Sequence, residues 1–253
     1  MTSVLLLGGT TEASDMAHAM AHAMAYQGIN AWFSYAGRTR APKAQPIPTR
    51  IGGFGGVEGM VDWLQQHDIS HVIDATHPFA AGISANALQA CALTGVDLCS
   101  FERAAWQAGG ADNWQYVCDI DAAVDALPQV ASNIFLAIGK QHIKAFTRQA
   151  QHHYLLRLVD QPEEAPPLPF ASYVVDRGPF TVEQDLAMLR EHAIDIIVCK
   201  NSGGSGAVAK LVAARHLQLP VVMINRPIQQ ACTRCHSVDE VLDWLAHATL
   251  RGV

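Results

Sequence analysis

The chain has 253 residues, of which 50% are hydrophobic and 16% charged, with a formal net charge of −6. That composition fills one large or two small packed cores and excludes an intrinsically disordered chain, which needs low hydropathy and high charge. It also excludes a general nucleic-acid or membrane-surface binder, which needs a broad positive field, though a basic cleft for an anionic substrate stays open. No run approaches the ~20 apolar residues of a membrane span, and Met1–Gly9 carries no basic leader region, so a cytoplasmic protein is expected. The six cysteines (Cys91, Cys99, Cys118, Cys199, Cys232, Cys235) are scattered, mostly in apolar runs where a thiol packs as a small hydrophobe.

In chain order, Val4 to Leu7 reads as a buried strand entering the turn Gly8-Gly9-Thr10-Thr11-Glu12, then a helix to about Gln27 stopped by Gly28. Ala31 to Tyr35 is a second strand, ending in Gly37-Arg38-Thr39-Arg40. After a proline-rich stretch and Arg50-Ile51-Gly52-Gly53, residues Val57, Met60, Val61 and Leu64 repeat at helical spacing. His71 to Asp74 is the next strand, and Thr76-His77-Pro78-Phe79 is expected to open a helix with Pro78 in its first turn. Val96 to Phe101 closes the first half, with a boundary expected at Gly109-Gly110-Ala111-Asp112.

Beyond it, strands are predicted at Ile134–Ile138, Tyr154–Val159, Ser172–Val175, Ile196–Cys199 and Val221–Ile224. Helices are predicted at Val182–Ala193 and Val208–Leu217, and a last amphipathic one carries Val238, Val241, Leu242 and Leu245. Apolar strands alternating with helices predict an α/β chain of two Rossmann-like, doubly wound domains with parallel sheets and a cleft between them. The expected domains are 1–111 and 112–253, the C-terminal helix being free to pack back on the first.

Such sheets bind ligands beyond the carboxyl ends of their strands, and the motifs fall there. Gly8-Gly9-Thr10 between strand and helix suits a pyrophosphate: backbone can approach closely, and a helix N-terminus offers N–H groups. It is weaker than a full G-x-G-x-x-G, and its plain alternative is a tight turn capped by Thr10 or Thr11. No acid lies between Asn30 and Arg50 to bind a ribose 2′-hydroxyl. Arg38, with Ser34, Thr39 and Arg40 nearby, suits a 2′-phosphate, favouring NADPH over NADH. Gly52-Gly53 and Thr76-His77-Pro78-Phe79 are expected to flank the nicotinamide half, His77 alone titrating near neutral pH there.

In the second half, Lys200-Asn201-Ser202-Gly203-Gly204-Ser205-Gly206 lies between a strand and a helix bearing Lys210. The run is small and donor-rich, as anion-wrapping backbone is, and it departs from a P-loop at Ala209 and Leu211. Gly139-Lys140, Arg177-Gly178-Pro179-Phe180 and Arg226-Pro227 end other strands. Together these cations form an expected basic rim for a substrate with several carboxylates.

Taken in order, these runs resemble the precorrin-6A reductase family, cobalt-dependent members included. The resemblance rests on Gly8-Gly9-Thr10-Thr11-Glu12, Gly37-Arg38, Asp74-Ala75-Thr76-His77-Pro78-Phe79-Ala80, Glu102-Arg103 with Trp106, Lys200-Asn201-Ser202-Gly203-Gly204 and Arg226-Pro227. Cys99-Ser100-Phe101 departs from the family pattern, which has an arginine before the glutamate. The resemblance implies NADPH on the N-terminal half and a tetrapyrrole between the halves. It implies hydride addition to one ring double bond, giving precorrin-6B on the route to cobalamin. Lys200, Lys210 and Arg226 would then hold carboxylates, and Thr76 and His77 would sit near the hydride path. His77, Lys200 and a water are the proton-donor candidates. No metal site, nucleic acid or membrane is expected, and transient contact with neighbouring pathway enzymes stays open.

Cys232-Thr233-Arg234-Cys235-His236 fits a haem-attachment pattern but reads as a short connector, without an export signal or a following axial methionine. His18 and His22 lie one helical turn apart, within an alanine-methionine run that reads as a packing face. Two alternatives remain: a non-catalytic NADP(H) sensor, which predicts no second cluster of cations, and a reductase of another anionic small molecule.

Overall fold

The structure is a computed structural model that describes residues 2–37, 42–162, 164–176, 178–228 and 232–250; the side chains of Gln27 and of 248–250 lie outside that description. Arg38, Thr39, Arg40 and Arg177 are therefore outside the described residues. The chain divides into two compact units, residues 1–104 with 228–253, and residues 105–227. The sequence boundary was expected after residue 111, but Gly109 to Asp112 is a turn inside the second unit. There Asp112 N–H donates to the Gly109 carbonyl at 3.0 Å, and Gly109 N–H to the Asp112 carboxylate at 2.7 Å.

The first unit holds β1 (Ser3–Leu7), α1 (Thr11–Gln27), β2 (Asn30–Tyr35), β3 (Thr49–Ile51), α2 (Gly56–Gln66), β4 (His71–Asp74), α3 (Ala81–Thr94) and β5 (Asp97–Phe101). Its sheet is six-stranded and parallel, in the order β12-β5-β4-β1-β2-β3, where β12 (Thr233–Cys235) and α7 (Val238–Leu250) come from the C-terminal end of the chain. Along β1 the side chains alternate. Val4 and Leu6 pack with Met16 and Met20 of α1 and Val241 and Leu245 of α7, while Leu5 and Leu7 pack with Met60 and Leu64 of α2 and Ala87 and Ala90 of α3. A strand covered on both faces has no polar side to show, which is why Val4 to Leu7 are all apolar.

The second unit holds β6 (Trp114–Val117), α4 (Ile120–Asp125), β7 (Asn133–Ala137), a run of 3₁₀ turns (Lys140–Gln149), β8 (His153–Leu158), β9 (Ala171–Val175), α5 (Val182–Glu191), β10 (Ile196–Lys200), α6 (Ala209–Leu217) and β11 (Val221–Ile224). Its sheet is also six-stranded and parallel, in the order β6-β11-β10-β7-β8-β9. Phe135, Leu155, Ile197, Cys199 and Met223 face Leu189 of α5 and Leu211, Ala213 and Ala214 of α6.

In each sheet the strand order reverses at the middle, beside β1 in the first and β7 in the second, and each carries an outermost strand taken out of chain sequence. Four elements depart from the sequence reading. The connector expected at 232–236 contains β12, which pairs in parallel with β5, Thr233 opposite Cys99. The helix expected at Thr76 starts only at Ala81, because the Ala80 N–H turns back to the His77 carbonyl at 2.7 Å. Strands β3 and β6 carry too short a pattern to read and are set by pairing with β2 and β11. No helix among the described residues is long and apolar enough to cross a membrane.

Candidate functional site

The carboxyl ends of β1, β2, β4 and β5 bring most of the first set of expected residues to one edge of the first unit. Gly8 N–H donates to the Ser34 carbonyl at 3.0 Å, holding the turn against β2. A Cβ on Gly8 would stand 2.0 Å from the Phe33 ring, whereas one on Gly9, at φ +124°, would meet nothing within 4 Å. Gly8 is thus required by packing, while Gly9 leaves open space at the start of α1. Thr10 is the N-cap: its hydroxyl accepts the Ala13 N–H at 3.0 Å and donates to the Ala75 carbonyl at 2.8 Å, joining the turn to the end of β4. The first N–H groups of a helix have no partner within it, so Thr11 and Glu12 carry the outward donors. The Glu12 carboxylate is paired with Arg103 at 2.7 Å, which offsets its negative charge beside a turn suited to phosphate.

The residues after β4 form a connected set. The Asp74 carboxylate, buried, accepts the Thr76 hydroxyl at 2.6 Å and the Thr76 N–H at 3.1 Å. His77 Nδ1 accepts the Phe79 N–H at 3.2 Å, which places the proton of the neutral imidazole on Nε2. Pro78 is buried and Phe79 half-buried, its ring 5.7 Å from that of His77. After β3, Arg50 donates to the Ser34 hydroxyl at 2.8 Å, the Gly52 carbonyl at 2.9 Å and the Gly53 carbonyl at 3.0 Å, and lies 3.8 Å over the Phe54 ring. Gly37 packs against Gly52, where a Cβ on it would lie 3.5 Å from the Gly52 Cα. Sequence reasoning saw Arg50 only as a neighbour of the glycines. Its role in shaping their loop shows only when the Ser34 hydroxyl, sixteen residues away, is brought beside it.

The second unit gathers its residues around the loop after β10. Asn201 and Ser202 are buried. The Asn201 side chain bonds both backbone groups of Trp106, accepting from N–H at 2.8 Å and donating to C=O at 2.9 Å. The Trp106 indole N–H reaches the Gly204 carbonyl at 2.8 Å. Arg226 donates to the carbonyls of Asn201 at 3.0 Å and Ser202 at 3.2 Å. Lys210 is only 6% exposed; its ammonium bonds the Ala207 carbonyl at 2.5 Å and stands 4.6 Å over the Trp106 ring. Gly203 and Gly204 are both left-handed, at φ +69° and +72°.

Gly139 and Lys140 are exposed at the end of β7, and Lys200 is half-buried at the end of β10. His142 stands near Lys200; burial first, and then that ammonium, hold its imidazole below the ordinary range. Nothing in the sequence pattern singled out His142, although it sits just after the Gly139-Lys140 strand end. Arg157, at the end of β8, pairs with the buried Asp185 and lies 4.1 Å over the ring of Phe180.

The second strand of the resemblance has its own geometry. Glu102 accepts the Ser100 hydroxyl at 2.9 Å, and its backbone carbonyl accepts His236 Nδ1 at 2.8 Å. Glu102 therefore ties β5 to the β12 segment, Arg103 ties it to α1, and Trp106 belongs to the loop of the second unit.

Comparison with known proteins agrees with these motifs. The family model "Precorrin-6x reductase CbiJ/CobK" matches residues 3–246. A precorrin-6A reductase of Rhodobacter capsulatus is 59% identical across 100% of both chains. One from Rhodococcus erythropolis is 40% identical over 99% of this chain and 100% of its own. A cobalt-precorrin-6A reductase of Priestia megaterium is 30% identical over 97% and 99%. A solved structure described as CobK precorrin-6A reductase superposes with a TM-score of 0.93 at 58% identity, covering 98% of this chain and 97% of that one.

Proposed function

This chain belongs to the precorrin-6x reductase family CbiJ/CobK, and from that premise we propose that it is the NADPH-dependent oxidoreductase that converts precorrin-6A to precorrin-6B in cobalamin biosynthesis. The observation that carries this is the 59% identity to a precorrin-6A reductase across 100% of both chains. The relatives at 59% and 40% identity act on precorrin-6A by name, and the cobalt-precorrin-6A reductase stands at 30%. That ordering favours the metal-free ring as substrate.

The residues distribute between two tasks. In the first unit, Gly8, Gly9 and the N–H groups of Thr10, Thr11 and Glu12 suit the cofactor's pyrophosphate, since the open space at Gly9 admits a group that a side chain would exclude. Gly37, Arg38 and Thr39 suit its 2′-phosphate. Gly52, Gly53 and Thr76 to Phe79 then flank the nicotinamide. When bound, NADPH supplies the hydride. The chain's own part is to orient both reactants and to manage the proton. His77 is the candidate for that second duty: the Phe79 N–H bonded to Nδ1 fixes its ring, and Nε2 is the nitrogen through which it would exchange a proton with substrate or water. In the second unit, Gly139, Lys140, Arg177, Lys200 and the 201–204 loop take the carboxylates of the ring. A sensor would have no use for that second set of cations.

The test is to mix the purified protein with NADPH and precorrin-6A and follow both absorbances. The expected result is stoichiometric loss of NADPH with conversion of the macrocycle, much slower with NADH, and slower with the cobalt-containing ring. His77→Gln should lower kcat with little change in NADPH affinity, and Lys200→Met should raise the substrate KM. Cofactor binding with no change in either chromophore would favour the sensor.

A further inference from the structure

Two of the cations that accompany the loop after β10 are bonded to its own carbonyls. Arg226 holds the carbonyls of Asn201 and Ser202, Trp106 holds that of Gly204, and Lys210 holds that of Ala207. A trans peptide is planar, and its C=O and the following N–H point in opposite directions. Turning the Ser202 and Gly204 carbonyls onto Arg226 and Trp106 therefore turns the N–H groups of Gly203 and Ser205 the other way. Consecutive left-handed glycines, at φ +69° and +72°, let the chain do this without a Cβ clash. The Asn201 amide fixes Trp106 in place through both of its backbone groups, so the indole donor is itself held.

We propose that Arg226, Trp106 and Lys210 are positioning residues for the reductase reaction. They grip the carbonyls of the 201–207 loop so that the loop, through backbone N–H groups, and not these side chains, receives a carboxylate of the substrate. This rests on the reading that the loop after β10 belongs to the substrate. It reassigns Arg226 and Lys210 from direct contact to support, and adds Trp106, a neutral residue with no charge to offer an anion. Successive backbone N–H groups in such a turn form an anion-binding concavity, whose strength depends on the loop's shape.

Conservative substitutions separate shape from charge. Arg226→Lys keeps the positive charge but loses the planar fork that holds two carbonyls at once. Trp106→Phe keeps an aromatic face under Lys210 but removes the donor to Gly204. We expect each to raise the substrate KM by about tenfold, the loss of one charge-assisted or buried hydrogen bond, with kcat changed less and NADPH affinity unchanged. Unchanged NADPH affinity also reports that the first unit is folded; amide hydrogen exchange of 203–206, faster in both variants, reports the loosened loop. The proposal is overturned if Arg226→Lys keeps the original KM while Arg226→Gln loses it, because charge alone would then suffice. It is equally overturned if Trp106→Phe loosens the loop yet leaves KM untouched. Lys200→Met, measured alongside, tests the underlying reading: if it too leaves KM unchanged, the loop is not a substrate site and that reading fails first.

Discussion

At Gly8 one hydrogen atom separates a working turn from a blocked one. A methyl there would lie 2.0 Å from a Phe33 ring that is itself fully buried, so the ring cannot swing aside. Gly8→Ala should cost about 1–3 kcal/mol of stability in denaturant unfolding, the usual penalty of overpacking, and Phe33→Leu in the same chain should recover part of it. Gly9→Ala makes no such contact and should instead weaken NADPH binding. Gly59, which no motif marked, is tighter still: its Cβ would stand 1.9 Å from the Phe54 carbonyl. A glycine in a motif can be read from sequence by position, but a glycine required by a neighbour's backbone needs the neighbour. The same limit applies to Lys210. On a helix after a glycine loop it reads as a cation for a substrate carboxylate, and only the fold shows its ammonium turned to Ala207 and Trp106.

Helix α5 shows how one element is attached to its sheet. Thr181 and Gln184 form a capping box at its start, a pattern that sequence alone can suggest. Its docking on β8 is a different matter. Asp185, 1% exposed, faces Arg157, and the guanidinium lies between the Phe135 and Phe180 rings. Removing one partner of a buried pair leaves the other's charge unsatisfied. Asp185→Ala should therefore cost about 3–5 kcal/mol, read from the unfolding midpoint, whereas Thr181→Ala at the cap should cost only about 1 kcal/mol. An Asp185→Ala chain that unfolds like the parent would show the pair to be dispensable. Because Phe180 rests on Arg157, the same variant should also weaken substrate binding more than NADPH binding.

Across the whole molecule the C-terminal segment matters more than its length suggests. Val241 and Leu245 of α7 are buried in the core of the first unit, and β12 covers the edge of β5. Ending the chain after Pro227 should therefore expose that core and edge, giving a poorly soluble protein that binds apolar dyes, even though the removed residues lie far from β1 in sequence. Acid should act on both units. Burial is the main force holding His71, His142 and His152 below the ordinary imidazole range; Asp97 opposes it at His71, Lys200 adds to it at His142, and a backbone contact at Pro128 opposes it at His152. The unfolded chain takes up these protons near pH 6.5, before the folded one does. Stability from this source is thus complete above about pH 6.5 and is lost as pH falls through the lower folded values. Melting midpoints should drop on that side, with a shallower fall in His71→Gln.

The parallel α/β class, most strands and helices, the placing of the glycine and lysine motifs at strand ends and the family are all legible in the residues alone, because each rests on local pattern: apolar runs, glycine turns and ordered motifs. Tertiary contacts were needed to show that β12 and α7 complete the first sheet and core, that residues 105–111 belong to the second unit, and that Arg226 and Lys210 bond carbonyls of the loop after β10. These outcomes depend on which distant groups meet. A strand of three residues such as Thr233–Cys235 carries too little periodicity to announce its partner, and a side chain's direction is set by neighbours that the local sequence does not contain.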